Sequence, residues 1–390
     1  MRHRWAQGEG FGQIRSTFCA KGCRKAPLMS NTASMSHDDL VVCACENQEY
    51  RARDAIDAAH FRGQLDSLWQ DFQRRVAAEK AADEQNIELD EIAIDSAAET
   101  FRYDHDLITA EETEQWLASR GLNLDDFSDY FARQYCGNAL PELEYEAPAF
   151  GLGSLEARNV FAADLVLSGD LDAMTTQLSW RLAAAAAAEK DSVGPDAIEA
   201  ERQRFFERSG ISPEQLPQWL EQLGRDLQWF DRMLELEAAY RKRNETLLTP
   251  QSQKREIASL RLQLTRFETE LIELESRDAA KEALFCVRED GMSMEEVATE
   301  GRYPYRCVSF LQEDIPDDLQ QKFLSVTPGD VLEPIPHGES FELHRVTKKI
   351  EPQPDDPAVL ERVENRILGR HYSELAARHV EPRLRAVSAE

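Results

Sequence analysis

Ile315-Pro-Asp-Asp-Leu-Gln-Gln-Lys-Phe-Leu-Ser-Val-Thr-Pro-Gly-Asp-Val-Leu-Glu-Pro-Ile335 is the stretch that decides the fold. Pro316 opens a helix that runs to Ser325, because proline suits the first helical turn, where its missing N–H would be unpaired anyway. Pro328-Gly329-Asp330 is a turn. It leads into a strand over 331–335 and, after the His337-Gly338 hairpin, a second strand over 341–350. Upstream, Phe267 to Leu274 alternates apolar and polar, which suits a strand. Residues 277–289 read as a helix closed by Asp290-Gly291, and Ser293 caps a short helix after it. Val308-Ser-Phe-Leu reads as another strand. Pro352, Pro354 and Pro357 form a stiff linker to a final amphipathic helix ending near Val380.

Three stretches together resemble the parvulin (PpiC-type) peptidyl-prolyl isomerases. They are the Ile315–Ile335 stretch with its Pro-Gly-acid-Val turn, Ala279 through Gly291-Met-Ser-Met-Glu-Glu-Val-Ala, and Ser340-Phe-Glu-Leu-His-Arg-Val. The predicted order of strand, helix, short helix, helix, strand, strand is that of the parvulin fold. The likeness covers residues 265–352. The helical part ahead of it resembles the chaperone part of SurA-like parvulin-type foldases. The whole chain is similar to parvulin-related proteins found beside ribosomal-peptide modification genes. The expected class is therefore α+β: a large helical N-terminal part, a small parvulin-like α/β domain, and a C-terminal helix. Expected divisions are a basic lead-in over 1–34, a helical region over 35–264, the parvulin-like domain over 265–352, and a helix and tail over 353–390.

The resemblance implies a site with two histidines on adjacent strands beside an apolar pocket. The first strand, Phe267 to Glu275, holds no histidine, and the family's second position aligns with Glu342. His344 follows two residues later and so faces the same way in an extended strand. Glu342, His344 and Cys307 are the alternative polar set. Phe310, Leu311, Ile315, Leu319, Phe323, Phe341 and Leu343 are the candidate peptide-binding residues. Each of them could equally be ordinary core. Asp314, Asp317 and Asp318 gather at a helix start, where a cap and dipole role explains them.

Residues 1–34 carry six Lys/Arg against one acid, Glu9, a net +5, so the rest of the chain carries −33. A body this acidic repels phosphate backbones, so nucleic acid is not an expected partner. No apolar run reaches a membrane-spanning length of ~20 residues. The lead-in lacks the apolar core of a secretory signal and reads as a disordered tail or a translated lead-in ahead of Met29 or Met35. A cytoplasmic location is expected. Seven scattered cysteines suit free thiols in a reducing compartment. Cys19-x3-Cys23 and Cys43-Ala-Cys45 lack a second ligand pair, so no metal and no cofactor is expected.

An internal repeat pairs Ile108-Thr-Ala-Glu-Glu-Thr-Glu-Gln-Trp116-Leu117 with Ile211-Ser-Pro-Glu-Gln-Leu-Pro-Gln-Trp219-Leu220. Gly121 and Gly224 match at the same offset. This predicts a helical hairpin used twice, over 108–135 and 211–240, either as plain core packing or as a cradle for polypeptide. Three functions follow from different classes. One is a non-catalytic binder of peptide or unfolded polypeptide, including a ribosomal precursor peptide. The others are an active peptidyl-prolyl isomerase and an acidic scaffold.

Overall fold

A computed structural model describes residues 36–139, 151–188 and 193–384. The basic lead-in with Cys19 and Cys23, and residues 140–150 with Pro141 and Pro148, lie outside the described residues. The chain forms two compact units, residues 1–242 with 372–390, and residues 243–371. The divisions thus fall at 242/243 and 371/372, rather than near 265 and 352.

In the first unit, a hairpin of β1 (Val41–Cys45) and β2 (Gln48–Arg51) precedes the helices. These are α1 (Ala52–Phe61), α2 (Asp66–Glu84), α3 (Glu91–Asp104), α4 (Ala110–Ser119), α5 (Leu124–Ala139), α6 (Leu155–Ser168), α7 (Asp170–Ala186), α8 (Pro195–Ser209), α9 (Leu216–Leu223) and α10 (Leu227–Leu247). The helical front expected from sequence therefore carries a small sheet as well. Its third strand, Val380–Pro382, comes from the far end of the chain and pairs antiparallel with β1. Cys43 and Cys45 alternate onto the same face of β1 and are both buried. Burial pushes the Cys43 thiol up to about 11, so it is held protonated rather than poised as a ligand. No cluster of metal-ligating side chains occurs among the described residues, and no described helix is long and apolar enough to cross a membrane.

Local chemistry sets the helix ends. Thr109 and Glu112 form a reciprocal capping box at the start of α4. Gly121 and Gly224 both sit at positive φ, between α4 and α5 and between α9 and α10. The repeat is thus two copies of one hairpin. Trp116 is buried, with Phe101 edge-on and the Arg120 guanidinium 4.0 Å above its ring. Trp219 packs between His60 and Phe205. Both tryptophans are used in packing, which favours the core reading over a cradle.

Four elements of this unit share one buried ion-pair chain. Arg158 of α6 reaches Asp38 at 2.8 Å and Asp57 of α1 at 2.7 Å. Arg225 reaches Asp57 at 2.6 Å and Asp54 at 2.7 Å. Asp57 is 1% exposed and serves both arginines. Burial alone would lower Arg158, yet Asp57 and Asp38 hold it above its ordinary value.

The second unit holds α11 (Pro250–Ser259), β3 (Arg266–Leu274), α12 (Arg277–Arg288), α13 (Met294–Gly301), β4 (Tyr305–Leu311), α14 (Asp317–Ser325), β5 (Ile335–His337), β6 (Ser340–Ile350) and most of α15 (Pro357–His379). The strand Val380–Pro382 is then β7. The sheet is antiparallel in the order β4-β3-β6-β5. Residues 331–334, expected as strand, make only an isolated bridge, Val331 to Arg345. One sheet face packs on α12 and α13 through Ile272, Leu274, Ala283, Met294 and Leu343. A separate cluster joins α11 to α15 through Ile257, Leu264, Leu311, Val359, Val363 and Ile367. Arg362 clamps Glu313 and Asp314 at 2.7 and 2.6 Å, and Arg370 holds Glu256 at 2.8 Å. The C-terminal helix is therefore built into this unit up to residue 371 rather than trailing from it.

Replacing Asp57 by Ala leaves Arg158 and Arg225 each short of a partner in a buried site. The expected loss is about 3 kcal/mol in urea unfolding, toward the low end for a broken buried pair because Asp38 and Asp54 remain. A loss below about 1 kcal/mol would contradict this account of the network.

Candidate functional site

Directly opposed residues in an antiparallel pair share a face. The register Phe267↔Phe310, Thr269↔Val308 and Leu271↔Arg306 therefore gathers one set of side chains on the face away from α12 and α13. Across β6, Thr269↔Val346, Leu271↔His344 and Glu273↔Glu342 extend it. The register shifts between Glu268 and Thr269, which keeps Val346 and His344 on this face.

The Pro328-Gly329-Asp330 turn fixes the near end of the site. Gly329 has φ +103, a conformation open to glycine and strained for other residues, and its N–H donates to the Val346 carbonyl at 2.7 Å. Leu332 N–H then donates to the His344 carbonyl at 2.8 Å. At the other end, the Gln312 amide donates to the Gln320 carbonyl, and the Gln320 amide to the Ile315 carbonyl, each at 2.9 Å. These bonds hold α14 against the sheet so that Phe323 and Leu319, four residues apart, lie along one helix side.

Phe267, Ile315, Phe323, Leu332, Ile335 and Val346 form a buried cluster, with Phe310 and Leu319 half-buried at its margin. Phe310 and Phe323 meet edge-to-face at 5.5 Å between ring centres. Each also meets His344 edge-to-face, at 6.4 and 5.5 Å. The cluster fills most of the face from within. Phe310, Leu319 and Val308 stay half-buried on this side, an apolar strip beside a polar group.

That polar group centres on Glu342. Its carboxylate lies 3.0 Å from His344 Nε2, 3.5 Å from Arg306 Nη2 and 3.8 Å from His337 Nδ1. His344 is 6% exposed, and burial pulls its pKa below the ordinary histidine value, against the opposing pull of Glu342. Near neutral pH the ring is uncharged. Nε2–H then donates to Glu342, and Nδ1 is left as a buried acceptor without a hydrogen-bond partner among the described residues. Thr269 Oγ1 is likewise buried without a partner.

Of the seven apolar candidates, Phe310, Ile315, Leu319 and Phe323 come together here. Leu311 turns to the α11–α15 cluster, while Leu343 and Phe341 turn to the α12–α13 side. Of the polar set, Glu342 and His344 pair, but Cys307 does not join them. It opposes Glu270 on the other face, exposed, with its sulfur 3.7 Å from the Tyr305 hydroxyl. Phe267, Thr269, Arg306, Leu332, Ile335 and Val346 belong to the site and were not singled out from sequence. The alternation of Phe267, Thr269 and Leu271 was the available signal. It gave a shared facing but could not say which neighbour lay opposite.

No family model and no curated protein sequence matches the chain. Among solved structures it is similar to a peptidylprolyl isomerase, PrsA, from Bacillus cereus, at 11% identity over 59% of this chain and 88% of that one, with a TM-score of 0.36. It is also similar to PrsA of Bacillus anthracis (15%, covering 53% and 94%, TM-score 0.29) and to the foldase protein PrsA of Lactococcus lactis (12%, covering 87% and 91%, TM-score 0.26). Likeness at this level carries no functional argument. The α+β class, a helical bulk with two small antiparallel sheets, stands on the chain's own element order and sheet topology.

The His344 ring is expected to titrate below pH 6.5, with Nδ1 bare, in long-range ¹H–¹⁵N spectra. Glu342→Gln removes a group that stabilises the imidazolium, so the midpoint falls further. Because the folded pKa is lowered, His344 takes nothing from stability above pH 6.5. It costs stability as the pH drops, since the unfolded chain protonates first. A midpoint above 6.5, or one raised by Glu342→Gln, would contradict the geometry.

Proposed function

We propose that the parvulin-like unit is a polypeptide holder and not a prolyl isomerase. The observation that carries this is the composition of the face: the buried His344 is paired to Glu342, the other histidine near that carboxylate, His337, is exposed at the β5 end 3.8 Å away, β3 holds no histidine, and Cys307 lies on the opposite side. Rotating an X–Pro amide faces a barrier of ~18–20 kcal/mol, and its catalysis needs groups that favour the twisted amide over the planar one. A shallow strip whose large aromatics are already packed offers contact area without an enclosing ring pocket. Phe310 and Val308 stand on β4, which among the described strands is an edge that pairs with β3 alone. An extended chain could therefore add to that edge by main-chain hydrogen bonds and lay a side chain on the strip. The ligand in this reading is peptide or unfolded polypeptide, with a ribosomal precursor peptide held during modification in the cytoplasm as the specific case. The acidic body favours a neutral or basic one.

Two measurements on the full chain test this. Fluorescence anisotropy with a labelled extended peptide is expected to show binding that Phe310→Ala weakens about tenfold, equivalent to ~1.4 kcal/mol. A protease-coupled assay on a short X–Pro peptide is expected to show no acceleration. Acceleration lost in Glu342→Ala or His344→Ala would overturn the holder reading in favour of an isomerase. Absence of binding to any peptide would overturn both.

A further inference from the structure

The chain carries a net charge of −28, yet where the end of α1 meets α7, α8 and α10 the local sign is reversed. Arg62, Arg181 and Arg208 gather around Glu237, while Arg204 and Arg241 share Glu201. Five arginines against two glutamates leave this cluster at 5 − 2 = +3.

Two of the inner arginines are accounted for by the fold. Arg181 Nε bonds Glu237 Oε1 at 2.5 Å, its Nη1 donates to the Gln177 carbonyl at 2.8 Å, and its guanidinium lies 4.2 Å above the Tyr240 ring. Arg208 Nη2 donates to the Phe61 carbonyl at 2.7 Å, closing the C-terminal end of α1. Arg62 is not accounted for in this way. Its Nε donates to Gln64 at 2.7 Å. Its Nη1, however, lies 3.9 Å from the Glu237 oxygen that Arg181 already holds, beyond hydrogen-bond length. Its Nη2 is buried without a hydrogen-bond partner among the described residues, and the residue is only 8% exposed. Burial, with Arg181 and Arg208 adding to it, pulls the Arg62 pKa down to about 9 against the pull of Glu237. An unmade bond on a buried charge is costly, and proteins complete such groups with an acceptor.

The cluster also reaches the surface. Arg208 is exposed, and its side chain crosses directly beside Arg62: a Cβ added to Gly63 would meet Arg208 Cδ at 3.1 Å. The order is therefore Arg208 on the outside, with Arg62 and Arg181 buried within. Guanidinium forks match tetrahedral oxyanions in both charge and donor geometry.

We propose that Arg62, Arg181 and Arg208 form a site for a phosphate-class oxyanion, entered past Arg208, with Arg62 Nη2 as the inner donor that the anion completes. The site lies in the first unit and is independent of the proposed peptide strip in the second.

Isothermal titration of the full chain with inorganic phosphate at constant ionic strength tests it, together with thermal melts in phosphate and in chloride of matched ionic strength. Saturable binding of one phosphate per chain is expected, with a melting temperature that rises as the site fills. Arg208→Gln, at an exposed position, is expected to weaken binding about fivefold or more and to leave the melt in chloride unchanged. Arg62→Met is expected to abolish binding. In chloride it should melt close to the parent, because it also removes a buried charge that lacks a full set of partners. If Arg62→Met does not fold, Arg208→Gln alone decides. Methyl phosphate in place of inorganic phosphate separates the sources: tighter binding assigns the site to a phosphate ester, weaker binding to the free ion. Absence of saturable binding, or binding unchanged in Arg208→Gln, would overturn the proposal. A melting temperature that phosphate raises equally in parent and variants would overturn it too, since that marks a general salt effect.

Discussion

Everything on the candidate face depends on the pairing of β3 with β6, held in register at one end by the Gly329 N–H bond to Val346. Side chains alternate with a period of two, so a one-residue slip would send His344 and Val346 to the α12–α13 side and bring Leu343 and Arg345 round to replace them. The opposite face cannot accept that exchange, because Leu343 and Ile272 complete its core. Two cores on the two sides of one sheet thus enforce a single arrangement. The Glu342–His344 pair follows from it, since i and i+2 on a strand share a side.

Packing then decides what kind of site results. α14 contributes Phe323 to the sheet's core and Leu319 to its margin from one helix side. The buried aromatics stiffen the face, and the histidine is seated edge-on to two of them with its charge suppressed by burial. The same density that stabilises the unit reduces the space for a ligand to a strip. The proposed holding of a chain rests on that strip.

Much of the second unit was legible in the sequence, because its signals are local. The β3 alternation, the Ser293 cap, the Pro316 helix start and the Pro-Gly-Asp turn each state their own geometry within a few residues. The repeat was legible too, through its matched Trp-Leu pairs and its two glycines. What was hidden depends on partners distant in the chain. β1 and β2 are completed by Val380–Pro382, more than 300 residues away, and no periodicity in residues 41–51 announces that pairing. Helix α3 buries no residue fully, so it lacks the apolar stripe that pattern reading relies on. The sorting of the seven apolar candidates also failed locally. Phe310 and Leu311 are neighbours, yet a strand sends them to opposite sides, and only the register says which side carries the site. Cys307 was set apart from Glu342 for the same reason.

Aromatic and methyl NMR of the full chain during titration with an extended peptide tests the central claim most directly. The account predicts that resonances of Phe310, Leu319 and His344 move together with one saturation curve while Cys307, Phe341 and Leu343 stay in place. Movement of the second group with the first unchanged would contradict it, because the polypeptide would then be bound on the other side of the sheet.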